Sequence, residues 1–492
     1  MFRVRQVNPQ PRVPDVARAV RDALAGLGLE AQIRPGESVA IAVGSRGIAE
    51  LPLIVATAVE FLRALGAEPY VVPAMGSHGG ATAAGQASVL RAQGISAERL
   101  GCEVRATMET VRLGKTPAGV PVHLDREAAR AHHILVCNRI RPHASFRGAI
   151  ESGLLKMLVV GLGNYEGARR YHQAFEKHGF EATVRSAART ILASCPVLGG
   201  LAIVENAYAQ VAIIDALSAR DMEVGEERLL RQARGWLPRF PFDSVDLLIV
   251  DEMGKNISGT GLDRKVIGPG SFGTGSLPAG ALVKLSRVGQ AYWQFVLRGA
   301  AGSPHRPVGH VEFMETLGRK GLRFAARAIG RRDGPPASVE PEVAENPGGY
   351  PAIGQVLVGS LTPESVGNAT GLDGVDLCTD RLLAQVDWHA TLLNGLASGT
   401  VVLPVTPKHF ATDRQAVDFA LSTLGARGLD PGSLRLVRIR STAHLQELEI
   451  SEAYLPEVER RPDLGVSGQG HEMAFDQEGS LLPAGWAGDR EG

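Results

Sequence analysis

Three short apolar runs alternate with helical segments in the first part of this 492-residue chain. The runs are VAIAV at 39–43, PYVVP at 69–73 and HILVC at 133–137, and helical periodicity marks 13–27 and 52–65. An apolar run without polar alternation is typical of a strand that is covered on both faces of a parallel sheet. Strands that alternate with helices therefore predict an α/β domain with a largely parallel sheet.

A second α/β unit is expected to follow. It is indicated by apolar runs and one helical segment, at 245–250, 355–358, 400–403, 434–439 and 413–424. The hinge is expected within 219–243, and the segment 329–350, rich in Pro, Gly and charge, is interpreted as a mobile loop.

The fold prediction is thus two α/β domains with largely parallel sheets and an active-site cleft between them. Residues 1–235 are expected to form the N-terminal cofactor-binding and catalytic domain, and 240–462 a C-terminal domain that completes the substrate cleft. Residues 463–492 show little periodicity and are expected to form an irregular tail.

Charge and cysteine content favour a cytoplasmic protein that acts on a small molecule. The chain carries 52 basic and 52 acidic residues, so its charge gives no case for nucleic acid or an anionic membrane as partner. Four widely spaced cysteines contain no C-x-x-C pair. The N-terminus lacks the apolar core of a signal peptide, and no uncharged apolar run reaches the roughly 18 residues of a membrane span.

Polar loops follow the three apolar runs. They read GSRG at 44–47, GSHGG at 76–80 and NRIRPH at 138–143. Ligands of parallel α/β sheets bind beyond the carboxyl ends of the strands, so the three loops are predicted to line one site. Their glycines, Gly44 and Gly76 among them, would let backbone N–H groups approach a phosphate.

The segment 139–172 places three reactive side chains in one short Gly-rich stretch: His143, Lys156 and His172. An imidazole after a proline can move protons in a defined loop. A lysine among apolar residues can lose its charge and become a nucleophile. A second imidazole can bind a soft metal. Together they indicate a cofactor held by both a covalent bond and a metal bond.

Two other interpretations stay open at this point. GLGNYEG, with Gly161, Gly163 and Gly167, is one residue too long for the dinucleotide fingerprint G-x-G-x-x-G, and GSRGIAE after the first run also lacks its spacing. A dehydrogenase of the NAD type on a Rossmann-type domain is the first alternative, and it would require that spacing. The second is a non-catalytic relative that binds a nucleotide or an anion, although a binder has no need for two proton acceptors.

An ordered set of residues then gives a resemblance to a known family. Arg46, His78, His143 after Pro142, Lys156 and His172 occur in the order of the lactate racemase family. That family consists of nickel-pincer-nucleotide enzymes that racemise or epimerise 2-hydroxy acids. The resemblance spans most of residues 1–460 and is most specific in the first domain.

The resemblance implies a role for each of these residues. Lys156 would hold the cofactor, pyridinium-3-thioamide-5-thiocarboxylic acid mononucleotide with nickel, through a thioamide, and His172 would be its protein metal ligand. His78 and His143 would exchange the substrate hydroxyl proton, and Arg46 would fix an anionic group. The implied reaction is proton-coupled hydride transfer to and from the cofactor, with cofactor-making enzymes as partners.

The resemblance also implies further binding residues. Gly44, Ser45, Gly76 and Ser77 are expected to contact the cofactor. Substrate contacts are expected from Arg46, from Lys255 and from Trp388, since a tryptophan lines the cleft in the lactate enzymes. The run ESGLLK at 151–156 departs from the Gly-Gly-x-Lys pattern of those enzymes, so lactate itself is not singled out as the substrate. The particular 2-hydroxy acid and the oligomeric state are left open.

Overall fold

A computed structural model describes residues 1–266 apart from 46, 144–147, 238, 255–256, 258–260 and 264–265, then 352–388 apart from 363–371 and 373–374, then 407–426 and 431–486. The expected strand at 400–403 and the expected loop at 329–350 lie outside these residues.

The described strands are, in chain order, β1 (Phe2–Gln6), β2 (Ser38–Val43), β3 (Glu68–Pro73), β4 (Thr110–Lys115), β5 (Pro121–Asp125), β6 (His133–Arg139), β7 (Val197–Glu205), β8 (Val211–Ser218), β9 (Ser244–Met253), β10 (Ala352–Leu361), β11 (Leu377–Thr379), β12 (Lys408–Phe410), β13 (Leu436–Ser441), β14 (His444–Ile450) and β15 (Leu464–Val466).

The described α-helices are α1 (Val16–Ala25), α2 (Leu51–Ala64), α3 (Ala83–Ala92), α4 (Ala97–Leu100), α5 (Arg126–Arg130), α6 (Leu154–Lys156), α7 (Asn164–His178), α8 (Phe180–Ser194), α9 (Met222–Trp236), α10 (Asp380–Gln385), α11 (Asp413–Ala426) and α12 (Leu455–Val458). A π-helical turn, Met157–Gly161, continues α6. No helix within the described ranges combines the length and apolar character needed to cross a bilayer.

The first sheet confirms the expected α/β architecture. Its order is β3-β2-β6-β7-β8, and every pair is parallel except β7 with β8. The three apolar runs of the sequence are its β2, β3 and β6. Because these strands are neighbours and parallel, the loops after them leave the same edge of the sheet, as predicted from the sequence.

Both faces of this sheet are covered, which explains why its strands lack polar alternation. On β6, Leu135 packs into the core beneath α1 and α2, whereas Val136 packs into the core that contains α7 and α8. Successive side chains of a strand point to opposite faces, so each face of β6 needs its own apolar residues. The second of these cores also supports the segment that carries Lys156.

The larger sheet contains eight strands in the order β12-β11-β10-β9-β13-β14-β1-β15. Its five strands from β12 to β13 are parallel, which confirms a second largely parallel sheet. The amino-terminal strand β1 joins it through antiparallel pairing with β14 and β15. The sequence did not indicate this pairing, and the domain boundaries at 235, 240 and 462 stay predictions.

Two stretches for which the sequence predicted neither a helix nor a strand have regular structure. The expected tail begins with β15, and the segment 219–243 contains the 15-residue helix α9. Most residues of α9 on one face are buried against the first sheet, among them Leu229 and Leu230. The segment where we expected a hinge therefore holds a helix that packs beneath the candidate site.

Candidate active site

The loops after β2 and β3 meet at a hydrogen bond between Ser45 and His78. The Ser45 hydroxyl lies 2.5 Å from Nδ1 of His78, and the side-chain amide of Gln93 donates to the Ser45 carbonyl at 2.6 Å. Ser45 is buried and His78 is half-buried. These contacts hold the imidazole through Nδ1, so Nε2 is the ring nitrogen that would exchange a proton with a ligand. Arg46, the next residue, lies outside the described residues.

The β3 loop also packs closely on the π-helical turn. Gly76 has a φ of +61°, and its N–H donates to the Gly161 carbonyl at 3.0 Å. A Cβ at Gly76 would lie 3.1 Å from the Val160 carbonyl oxygen and 3.4 Å from Cβ of Ala168. A glycine fits both this backbone conformation and this close approach. Since its N–H is already used, a phosphate would have to contact this loop through another atom.

Lys156 ends α6 directly before the π-helical turn, and its side chain is half-buried. Next to it, Met157 packs against the β2 loop, because a Cβ at Gly44 would lie 3.1 Å from the Met157 methyl carbon. π-Helical turns of this kind occur frequently at functional sites. The turn thus places Lys156 beside the carboxyl ends of β2 and β3.

His172 lies on α7, within range of the electrostatic effect of Lys156. Its Nδ1 lies 2.7 Å from the Ala168 carbonyl oxygen, one helical turn earlier. Burial, assisted by the positive charge of Lys156, lowers the pKa of His172 to about 4. The imidazole is therefore neutral near pH 7, and with Nδ1 engaged by a carbonyl, Nε2 is the atom that can bind a metal.

A row of aromatic rings connects His172 with His143. The ring centroids lie 5.2 Å apart between His172 and Phe175, 5.1 Å between Phe175 and Phe180, and 6.4 Å between Phe180 and His143. The last pair is stacked, with an interplanar angle of 29°. The tertiary structure thus brings His143 and His172 to one apolar wall, although 29 residues separate them in sequence (172 − 143).

His143 is fixed through its backbone as well as through its ring. Its N–H donates to a carboxylate oxygen of Glu151 at 2.5 Å, and the other oxygen of Glu151 accepts from Arg234 at 2.8 Å. Nearby, Arg141 forms an ion pair with Asp263 at 2.6 Å. This pair connects the loop after β6 with the segment after β9.

The two expected substrate residues of the second region differ in what the structure describes. Lys255 lies outside the described residues. Trp388 packs partly buried against the core of the larger sheet, and its indole N–H donates to the Leu383 carbonyl at 3.2 Å. Its expected contact with substrate stays a prediction. Within the described ranges, no three His, Cys, Asp or Glu side chains gather as a metal site on their own.

The glycines of GLGNYEG have a packing role. A Cβ at Gly161 would lie 2.7 Å from the Ala74 carbonyl oxygen, and one at Gly163 would lie 2.6 Å from that of Val159. Gly161 belongs to the π-helical turn and Gly167 to α7, so the motif is not the strand-to-helix turn of a dinucleotide site. The placement of GLGNYEG therefore does not support the dehydrogenase alternative.

Sequence reasoning missed Glu226, which supports the start of α6. Its carboxylate accepts from the Leu155 N–H at 2.9 Å, and only 1% of the residue is exposed. One of its oxygens, Oε1, has no hydrogen-bond partner in the described structure. A signal was present, because Glu226 occupies a helical position between the buried Met222 and Leu229.

Replacing Gly153 with Ala is expected to destabilise the protein by about 1–3 kcal/mol, because the new methyl group would overlap Glu226. The Cβ would lie 2.3 Å from Oε1 of Glu226. Urea unfolding of G153A measures the effect. Gly235→Ala on α9 is the control, since nothing lies within 4 Å of its Cβ position. A G153A protein as stable as G235A would contradict the close packing.

The stability of the protein should carry a pH dependence from Glu226. Burial raises the pKa of Glu226 to about 7 from its ordinary value of 4.5. Its contribution to stability is therefore fully present below pH 4.5 and is lost as the pH rises through 7, by up to about 3 kcal/mol. The measurement is the free energy of unfolding of wild type minus that of Glu226→Gln, from pH 5 to 8. A difference that stays constant would show that Glu226 does not titrate there.

Comparisons with known proteins agree with the sequence motifs. Residues 1–183 match the family model described as the lactate racemase N-terminal domain. This match confirms the resemblance to the lactate racemase family that the sequence indicated. None of the curated proteins matches the chain.

Two solved structures are similar over part of the chain. One is a crystal structure of a protein from Thermotoga maritima, at 15% identity and a TM-score of 0.40, covering 50% of this chain and 64% of the other. The other is the lactate racemase apoprotein from Thermoanaerobacterium thermosaccharolyticum, at 14% identity and a TM-score of 0.37, covering 50% and 61%. The chain thus spans less than two thirds of both proteins.

Proposed function

We propose that this protein is an isomerase that racemises or epimerises a 2-hydroxy acid with a nickel-pincer nucleotide. The observation that carries the proposal is the arrangement of Lys156 and His172. The lysine's charge acts on a neutral imidazole whose Nδ1 is already anchored. An amine whose charge acts on an anchored, metal-binding imidazole suits a cofactor with a covalent link and a metal bond.

The residues present fit this cofactor. The anchored imidazole of His172 would supply one nitrogen donor to a nickel ion whose other ligands belong to the cofactor. The side chain of Lys156 would supply the amine. The glycines Gly44 and Gly76 keep the loops after β2 and β3 close to the π-helical turn that directly follows Lys156. When bound, the cofactor would supply a reversible hydride acceptor, which no side chain provides.

Two histidines would manage the substrate proton. One of His78 and His143 would take the hydroxyl proton as general base. The other would supply a proton after the planar 2-keto acid has reoriented. The Ser45 hydroxyl holds His78 through Nδ1, and Glu151 with Phe180 holds His143. Arg46 would bind the substrate carboxylate, with Lys255 and Trp388 as further contacts from the second domain.

The alternatives receive less support. A dehydrogenase needs a dinucleotide turn, and the described glycine motif packs inside helices instead. A non-catalytic binder would not need two histidines, one held by a ring hydrogen bond and the other by a backbone hydrogen bond. Cofactor-making enzymes as partners and a cytoplasmic location complete the proposal.

The test is to express the chain together with cofactor-making enzymes. Peptide mass spectrometry should find an adduct on Lys156, metal analysis should find nickel, and chiral chromatography of a panel of 2-hydroxy acids should show loss of optical purity. Lys156→Ala should carry no adduct. An unmodified Lys156 in a protein without nickel would overturn the proposal, and saturable NAD binding would favour the dehydrogenase.

A further inference from the structure

Helix α9 contacts the segment 143–156, which carries His143 and Lys156, at two places. At the carboxyl end of this segment, α6 begins after Gly153 and its third residue is Lys156. The Glu226 carboxylate accepts the N–H group of Leu155, the second residue of this helix, at 2.9 Å. The orientation of α6, and with it the starting point of the Lys156 side chain, therefore depends on a carboxylate from another element.

The second contact is made by Arg234 from the same helix, to Gly148 and Glu151 within the segment. Its guanidinium donates to Glu151 at 2.8 Å and to the Gly148 carbonyl at 2.5 Å. Glu151, which is 2% exposed, in turn accepts the His143 N–H. His143 is thus connected to α9 through one intervening carboxylate.

The helix holds the two α9 residues that make these contacts at a fixed distance from each other. Glu226 and Arg234 are eight residues apart (234 − 226), which corresponds to about 12 Å along an α-helix. Gly153 lets the carboxylate approach, since a Cβ there would lie 2.3 Å from Glu226 Oε1. A helix fixed in the core that contacts both Leu155 and Glu151 restrains Lys156 directly through its own helix and His143 through the Glu151 carboxylate.

We propose that Glu226 and Arg234 are positioning residues that keep Lys156 and His143 at the separation the reaction needs. Glu226 acts on Lys156 through Leu155, and Arg234 acts on His143 through Glu151. The inference rests on the proposed function for its purpose. Neither residue needs to touch substrate or cofactor. Their effect is to keep the amine and the imidazole at a fixed separation, on which rates of oriented reactions depend steeply.

The experiment compares Glu226→Leu, Glu226→Gln and the control Glu227→Leu. Glu227 is the next residue on α9, but its carboxylate pairs with Arg185 instead of α6. Lys156 is acetylated with an amine-reactive reagent in folded protein made without cofactor, and its rate is normalised to the exposed Lys177. We expect Lys156 to react about tenfold faster in E226L, because loss of a buried hydrogen bond favours local opening. E226Q, which retains an acceptor oxygen, and E227L should resemble wild type.

Two further readouts connect the contact with turnover. In the loaded protein, E226L should lower kcat by about 100-fold with little change in KM, and E226Q should restore most of it. Arg234→Gln, whose side chain is 41% exposed and so tolerates replacement, should lower kcat in the same way and speed hydrogen exchange in the peptide that contains His143. This variant tests the proposal should E226L fail to fold.

The outcomes separate this inference from the proposed function. Unchanged Lys156 reactivity in folded E226L, or unchanged exchange around His143 in R234Q, would overturn the positioning role whatever the activity. Faster Lys156 labelling in E226L but no racemisation by the loaded wild type would support the positioning role and overturn the proposed function instead.

Discussion

Replacing His172 with Ala is expected to abolish nickel retention and, with it, turnover. In the proposed site His172 would be the protein ligand of the metal, since its Nδ1 is anchored on the Ala168 carbonyl, and the cofactor would supply the remaining ligands. Removing that nitrogen leaves the nickel without a protein ligand, while Lys156 still carries the adduct. Metal analysis of purified, loaded protein measures nickel per chain, and mass spectrometry measures the adduct.

The matched control is His178→Ala, six residues further along α7 (178 − 172). This imidazole lies in the last turn of the same helix, so its loss should leave both nickel and activity near wild-type values. An H172A protein that retains nickel at the wild-type level would show that another residue binds the metal. Loss of nickel in H178A alone would assign the ligand to His178.

Single replacements of His78 or His143 with Ala are expected to lower kcat by about 10²–10⁴-fold, the usual contribution of a general acid or base. Both variants should keep the Lys156 adduct and the nickel, because neither histidine is assigned to the cofactor. Racemisation is followed by chiral chromatography on the substrate found in the screen. His132→Ala is the control, since this exposed imidazole hydrogen-bonds to Ser38 at the opposite end of β2.

The double replacement tests whether the two histidines act in one reaction. Because each proton transfer is necessary, the double variant should be about as slow as the slower single variant, well short of the product of the two effects. Strictly multiplicative losses would indicate independent roles, and full activity in either single variant would remove that histidine from the mechanism.

The sequence predicted where the loops of the candidate site meet because its signals were local. Apolar runs of five residues marked β2, β3 and β6, and the residues after each run were polar. In a parallel sheet such loops leave one edge, so Ser45 and His78 could be expected to lie together, and they are hydrogen-bonded. The order of His143, Lys156 and His172 then indicated the family, which the match over 1–183 confirms.

The supports of the site could not be predicted in the same way. Glu226 lies 71 residues from Leu155, and Arg234 lies 83 residues from Glu151. Nothing in the local pattern around Lys156 specifies a carboxylate from α9, even though a glutamate on the apolar face of that helix indicated that some buried partner exists. The same holds for β1, whose Phe2 pairs with Ile450.

The sequence by itself determined the two largely parallel sheets, the edge at which polar loops gather and the candidates for the reactive side chains, because periodicity and burial act over a few residues. Only the tertiary structure decided how those side chains are held: the aromatic row between His172 and His143, the carboxylate beneath α6 and the strand β1 in the larger sheet. These contacts join distant parts of the chain, and packing of the whole fold selects them.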